Sequence, residues 1–251
     1  SIYKEINFEY LRNDALHLCR RISGGGTVYQ DEGNLCFSFI SQFSEQKINN
    51  YRLFNQPVVD ALRKIGVDAE MDERNNILCS GKKISGNAQF TNRKNIISHG
   101  TILVDANLDV LRACLRPNDF KVESKAVSSV RSSVTNIKGI AVGISSAAEL
   151  KEHLQKELQA LDVLRFSQEE WNQINASAEE KFKSFEWIFG RSPLTTITKN
   201  DLQVLVEDGI IKEIKTGLSL PPLTGIRYEF SSIKKALENY PNASDILKQL
   251  F

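Results

Sequence analysis

The chain has 251 residues, 41% of them hydrophobic and 25% charged, with a formal net charge of +1. That length buries a substantial core and suits one large domain or two smaller ones; the composition is that of a soluble globular protein, which excludes a fibrous or disordered chain. Charge so close to balance excludes a global field selecting nucleic acid or an anionic membrane, so any anion site must be local. Neither a secretory leader nor an apolar run of about 18 residues is visible, which sets the expectation of a cytoplasmic protein. The four cysteines (Cys19, Cys36, Cys79 and Cys114) form no C-x-x-C pair. They read as free, buried thiols in a reducing compartment, ahead of disulfides or a metal site.

In chain order, residues 1–14 form a polar-amphipathic segment with Ile6, Tyr10 and Leu11 at helical spacing, leading into a strand over 16–22. Next comes the run Arg20-Arg21-Ile22-Ser23-Gly24-Gly25-Gly26-Thr27-Val28-Tyr29-Gln30-Asp31-Glu32-Gly33-Asn34. Three glycines without Cβ atoms accept φ > 0 and let a ligand approach the backbone amides, which in such a turn form a nest for phosphate oxygens. The arginine pair supplies the guanidinium fork that suits phosphate or carboxylate. Residues 27–29 are β-branched or aromatic and predict a strand, 31–34 a turn and 35–40 a second strand, so the loop opens a hairpin. A plain glycine-rich turn is the bland alternative; arginines, glycines and strands together favour an anion-binding loop. It lacks both Gly-Lys-Ser/Thr and Gly-x-Gly-x-x-Gly, so it is neither of the familiar phosphate loops.

The spacing of Ile48, Tyr51, Phe54, Val58, Leu62 and Ile65 predicts a helix over 46–65, interrupted or kinked at Pro57 and stopped by Gly66. Short strands are expected at 67–71 and 76–79. Ser80-Gly81 reads as a hairpin turn, after which Lys83, Ser85 and Asn87 alternate onto one strand face. Such a face beside Gly86 suits a site lining, while solvated hairpin lysines are an equal alternative. A strand over 96–104 carries His99, read either as a structural hydrogen-bonder or as a catalyst. Further on, the sequence predicts a short helix over 108–115 and a long serine-rich loop, mobile enough to close over a ligand, over 121–136. Helices starting at Ser145-Ser146 (to about 161) and at Ser167 follow. A boundary falls at 190–193, and strands over 201–206 and 210–214 precede Pro221-Pro222 and two short helices.

These motifs carry a resemblance. The run 20–34 is similar to the signature of the lipoate–protein ligase A family. Gly81-Lys82-Lys83-Ile84-Ser85-Gly86-Asn87-Ala88-Gln89 resembles its second motif and His99-Gly100-Thr101-Ile102-Leu103 its third. Ser129-Val130-Arg131-Ser132-Ser133-Val134-Thr135-Asn136 and Phe185-Glu186-Trp187-Ile188-Phe189-Gly190 also match, all in family order. The resemblance implies an α+β fold of the biotin and lipoate ligase kind. A mixed β-sheet with flanking helices would occupy 1–190, with its N-terminal part missing, and a small α+β accessory domain 191–251.

It also implies a reaction with ATP and Mg2+ in which lipoate becomes lipoyl-adenylate and the lipoyl group passes to a lysine. The acceptors would be lipoyl carrier domains of 2-oxoacid dehydrogenase E2 subunits and the glycine cleavage H protein, without nucleic acid or membrane. Bringing a carboxylate onto an α-phosphate requires fixed positive charge and amide dipoles. By resemblance Lys83 is the catalytic residue, bridging the lipoate carbonyl and the α-phosphate. Arg21, Ser23, Gly24, Gly25, Gly26, Thr27, Val28, Tyr29, Asn75 and Asn76 would line the ATP and adenylate site with it. Ser85, Gly25 and His99 would join Lys83 around lipoate, its dithiolane lying among apolar residues near the glycine loop, and no protein-held metal is implied.

Three departures stand out. The family's N-terminal strand, helix and two further strands are represented only by their end, so the chain is expected to be incomplete. Asn75-Asn76 stands where relatives carry Asn-Asp, and the accessory domain is short near 215–218. Two rivals remain. One is an octanoyl or lipoyl acyltransferase on the same scaffold, whose cysteine position falls here near Asp68; the other is a non-catalytic binder of carrier domains.

Overall fold

The computed structural model describes residues 2–11, 16–115, 120–125, 132–159 and 162–251. In chain order the strands are β1 (Asn34–Gln42), β2 (Ala69–Met71), β3 (Ile77–Cys79), β4 (Lys82–Ser85), β5 (Asn87–Thr91), β6 (Asn95–Leu103), β7 (Lys121–Ser124), β8 (Thr195–Lys199), β9 (Leu202–Glu207) and β10 (Ile210–Lys215). The helices are α1 (Ile2–Glu5), α2 (Phe8–Leu11), α3 (Tyr51–Lys64), α4 (Leu108–Cys114), α5 (Ala147–Glu157), α6 (Gln168–Ser177), α7 (Phe185–Ile188), α8 (Phe230–Ala236) and α9 (Ala243–Leu250). This is an α+β fold. Two compact units share it, one of Arg21–Leu111 and Val130–Arg165, the other of Ser1–Arg20, Arg112–Ser129 and Phe166–Phe251. Both units are discontinuous in sequence, so the chain crosses between them several times and does not part at one cut after Gly190.

In the first unit, β1 alternates as a half-buried strand should. Leu35, Phe37 and Phe39 pack on the core while Cys36, Ser38 and Ile40 are exposed. It pairs antiparallel with β6 from Asn34↔Leu103 to Gln42↔Asn95, and β6 pairs on its other edge with β5. A second sheet of order β2-β3-β4 is also antiparallel, and a parallel bridge from Lys83 to Val134 gives β4 a mixed edge. Between β1 and β2, α3 starts later than its apolar spacing suggests. Asn49 sits at φ +56 after a single 3-10 turn, and Asn50 caps the helix by accepting from Leu53 N at 3.2 Å.

Pro57 lies inside α3, which runs unbroken to Lys64; the carbonyl it deprives of a donor is that of Leu53, an exposed residue. Gly66, at φ +83, ends the helix. Val58 and Leu62 of α3, Ile84 of β4, Ile102 of β6 and Leu150 of α5 form the centre of the core. The α5 helix opens on a reciprocal cap between Ser146 and Glu149 and ends at Glu157, short of the predicted 161.

The second unit is built on an antiparallel sheet of order β10-β9-β8-β7. The predicted β9–β10 hairpin turns through Asp208 and Gly209, both at positive φ, +51 and +75. Tyr3, Tyr228 and Phe251 meet in its core, with ring centroids 5.4 Å (Tyr3–Tyr228) and 5.0 Å (Tyr228–Phe251) apart. Among the described residues no helix is long and apolar enough to cross a membrane.

Several expectations fail locally. Neither 16–22 nor 27–29 joins a strand. At the first, Arg20 O accepts from Trp187 Nε1 at 2.7 Å and the Arg20 side chain donates to Ile188 O, so side-chain contacts replace a ladder. The expected loop over 121–136 opens as strand β7, whose Val122 pairs with Ile197 of β8. Residues 132–136 run alongside β4, and 126–131 lie outside the described residues. All four cysteines are free as expected, but only Cys79 and Cys114 are buried; Cys19 and Cys36 are exposed.

Candidate active site

The glycine loop is folded around the side chain of its own arginine. Arg21 donates from Nε and Nη2 to Gly24 O at 3.1 and 3.0 Å, and from Nη2 to Gly26 O at 2.6 Å. N–H and C=O of a trans peptide point in opposite directions. With the Gly24 carbonyl turned to the guanidinium, the Gly25 N–H is therefore directed away from it. Gly25 sits at φ +103, and a Cβ there would lie 2.8 Å from Arg21 Nη2, so this position demands glycine; Gly24 and Gly26 are not at positive φ. Ile22 and Val28 flank the loop as exposed apolar side chains. Beyond it, Asp31 accepts from Gly33 N at 2.9 Å, Asn107 N at 2.8 Å and Tyr29 Oη at 3.0 Å, which anchors the predicted turn and with it Tyr29.

Two motif residues distant in sequence meet at the loop's start, where Ser23 Oγ lies 2.7 Å from Nε2 of His99. His99 occupies the central strand of its sheet, opposite Ser38 of β1 and Ala88 of β5. Burial, and then the Arg21 charge, hold its imidazole below the usual histidine range, so it is neutral at neutral pH. A neutral ring shares a proton with a hydroxyl without adding a second cation to the loop.

Lys83 is held more firmly. Its N donates to Ser133 O at 2.8 Å and its O accepts from Thr135 N at 3.1 Å, while its other edge pairs with Leu78 of β3. The side chain is half-buried, and its Nζ is 3.1 Å from where a Cβ on Gly86 would stand. Burial depresses the ammonium's proton affinity and the Asp72 charge opposes that depression. Lys82, one residue earlier, is exposed and pairs with Cys79, so the strand separates the two lysines as its alternation predicts.

At Gly86 the chain passes from one sheet to the other, its carbonyl accepting from Thr101 N at 3.2 Å. Ser85 is almost wholly buried with Oγ 3.5 Å from Asn87 Oδ1, and Asn87 Nδ2 donates to Asn75 O at 2.8 Å. Asn75, at φ +63, thus contributes its carbonyl, while Asn76 donates its side-chain amide to Asp72 Oδ2 at 2.7 Å. Asp72 is the residue that motif reading missed, and its signal was present as an acidic turn residue four positions before a buried asparagine. The second unit holds an apolar cleft of about 540 Å³ lined by Phe166, Ile174 and Phe182, which contains none of these motif residues.

The motif residues thus supply a glycine loop held by arginine, a lysine on a strand bonded along both edges, and a serine–histidine contact. Residues 1–159 match the family model of the lipoyl protein ligase A/B catalytic domain, and the chain belongs to that family. Lipoate-protein ligase LplJ of Bacillus subtilis is 35% identical over 84% of this chain and 68% of its own length. A crystal structure of lipoate-protein ligase A bound with ATP superposes with a TM-score of 0.61 at 26% identity, covering 73% of this chain and 76% of that one. A structure of an archaeal lipoylation system, a bi-partite lipoate protein ligase and its E2 lipoyl domain from Thermoplasma acidophilum, has a TM-score of 0.57 at 25% identity, covering 74% and 75%.

Proposed function

We propose that the protein uses ATP, entering as its Mg2+ complex, to convert lipoate to lipoyl-adenylate and then acylates a lysine on a lipoyl carrier domain. The observation that carries the reading is Lys83, a half-buried ammonium whose backbone is fixed on both edges of β4. In the first step a lipoate carboxylate oxygen attacks the α-phosphorus and the bond to the leaving pyrophosphate breaks. Charge grows on the oxygens between the two reactants, where a compact, preorganised ammonium stabilises the transition state most. The Gly25 amide and the Arg21 charge serve the phosphates, and Ser23, kept in place by His99, serves the acyl end. Exposed Ile22 and Val28 offer apolar surface to the dithiolane arm. In the second step the carrier amine attacks the activated carbonyl and AMP leaves.

The relatives' names and the ATP-bound ligase structure support this reading, and the archaeal ligase–E2 pair supports an E2 lipoyl domain as acceptor. The glycine cleavage H protein is a second proposed acceptor, and the cytoplasm, suited to four free thiols, the proposed location. Adenylation is assigned to the unit that holds the glycine loop, Lys83 and His99, and an accessory role to the segment 191–251 within the other unit. The acyltransferase alternative gains nothing from three of the four cysteines: Cys79 lies in the core, and burial raises the Cys36 and Cys114 thiols, away from the nucleophilic thiolate. The test is lipoate-dependent pyrophosphate release, followed by mass gain on an E2 lipoyl domain. Acyl transfer to the carrier from an acyl-thioester without ATP would overturn the proposal.

A further inference from the structure

The turn joining β2 to β3 is built around one carboxylate. Asp72 Oδ1 accepts from Arg74 N at 2.9 Å and Asn76 N at 2.8 Å, and Oδ2 accepts from Asn76 Nδ2 at 2.7 Å. Asn76 is 8% exposed, so its amide is a buried polar group that this contact satisfies. The contact needs a donor at one position and an acceptor at the other. Carboxylates at both would place two anions at hydrogen-bond distance and force one to keep a proton. The pair therefore works as one acid and one amide.

The turn is tied to the end of β4 next to Gly86, the residue against which Lys83 Nζ lies. Ile77, which follows Asn76, pairs with Ser85, and Asn87 Nδ2 donates to Asn75 O at 2.8 Å. Among the described residues, the charged or titratable groups on the elements packed against β4 are few. The β2 strand and its turn carry Glu70, Asp72, Glu73 and Arg74, β3 carries Cys79, β6 carries His99, and residues 132–136 carry none. Of these, Asp72 is the group whose charge favours the protonated form of Lys83 against its burial.

We propose that Asp72 is a positioning residue for Lys83, its fixed counter-charge, and that Asn76 is the amide that fixes that carboxylate. The proposal rests on Lys83 being the adenylation lysine. An uncharged Lys83 holds no anion, so the alkaline limit of the reaction is set by where Lys83 loses its proton. Without the Asp72 charge only burial acts on it, and that limit moves to lower pH.

The experiment is carbon-13 NMR titration of methylated lysines in the full chain, with the Lys83 signal assigned by its absence in Lys83→Arg. The pH profile of lipoate-dependent pyrophosphate release is recorded alongside. Asp72→Asn is expected to lower the Lys83 midpoint and the alkaline limb together, by on the order of one pH unit. The exchange Asp72→Asn/Asn76→Asp, which keeps an acid–amide pair, is expected to restore both. A folded Asp72→Asn protein whose Lys83 titrates as in the wild type overturns the proposal, as does a lost rate with an unmoved profile. If Asp72→Asn does not fold, Asp72→Ser, which still accepts the turn's hydrogen bonds, is held to the same criterion. The titration needs no substrate, so a wild-type protein inactive with lipoate and ATP defeats the functional reading alone.

Discussion

The glycine loop and strand β4, the two parts of the proposed site, are held in different ways. The loop lacks a strand ladder and is held by side chains: the Arg21 guanidinium reaches Gly24 O and Gly26 O, Ser23 Oγ meets His99 Nε2, and Gly25 stands at φ +103. The lysine strand is bonded on both edges, to β3 and to the 133–135 segment. A loop held by side-chain contacts has fewer bonds to change than a strand in a ladder, which suits the proposed entry of a nucleotide. A strand inside two pairings cannot move without breaking both, so the Lys83 backbone keeps its place. On the proposed function, that contrast puts the greater rigidity beneath the charge between the two reactants and the lesser in the wall around the phosphates.

The largest expected effect tests the rigid half. Lys83→Ala should slow pyrophosphate release by about 3 kcal/mol or more in activation free energy, the scale for losing a preorganised electrostatic donor. Lys82→Ala, on the exposed side of the strand, should stay within about 0.5 kcal/mol of wild type. Equal losses at the two lysines would mean that the register does not separate them.

The adaptable half is tested by Gly25→Val, which forces a β-branched residue to positive φ and a Cβ to within 2.8 Å of Arg21 Nη2. Adenylation should fall by about 2 kcal/mol or more in activation free energy, while the melting temperature stays near wild type because the loop is a wall and not core. A large fall in melting temperature with normal activity per folded molecule would reverse the assignment.

A smaller effect separates chemistry from packing. Replacing Cys19, Cys36, Cys79 and Cys114 together with alanine should cost about 1–3 kcal/mol of stability, chiefly at the two buried sites, and leave the rate per folded molecule unchanged. A folded cysteine-free protein that transfers no acyl group would instead indicate a thioester route.

The smallest prediction concerns His99, which joins the two halves through Ser23. Its folded proton affinity lies below the free value of 6.5, so the unfolded chain takes up the proton first as pH falls. Its contribution to stability is full above that value and declines below it, until folded His99 protonates as well. His99→Gln should therefore flatten the loss of stability between about pH 7 and 5, read as melting temperature against pH. An unchanged slope would show that other groups carry the acid response.

Much of the site was legible before any coordinates. Alternation placed Lys83 and Lys82 on opposite sides of β4, Ser80-Gly81 turned where expected, and Gly66 ended α3. Those signals are local, set by sterics within a few residues. The misreadings share a cause. Thr27-Val28-Tyr29 has strand propensity, yet its neighbouring arginine turns onto loop carbonyls and no strand forms there. Lys121-Val122-Glu123-Ser124 has one apolar residue and reads as loop, yet β8 supplies a partner and makes it a strand.

By itself, then, the sequence determined the glycine loop, the lysine hairpin, the histidine strand, their order and the α+β class. Each follows from residue type and period, and together they identify the family. Only the tertiary structure decided that Arg21 braces its own loop, that Ser23 meets His99 across 76 positions, and that Asn76 answers Asp72. The sequence-contiguous boundary at 190 likewise gave way to two interleaved units. The reason is that a hydrogen bond or a counter-charge is chosen among all groups the fold brings within reach, and chain order does not record that choice.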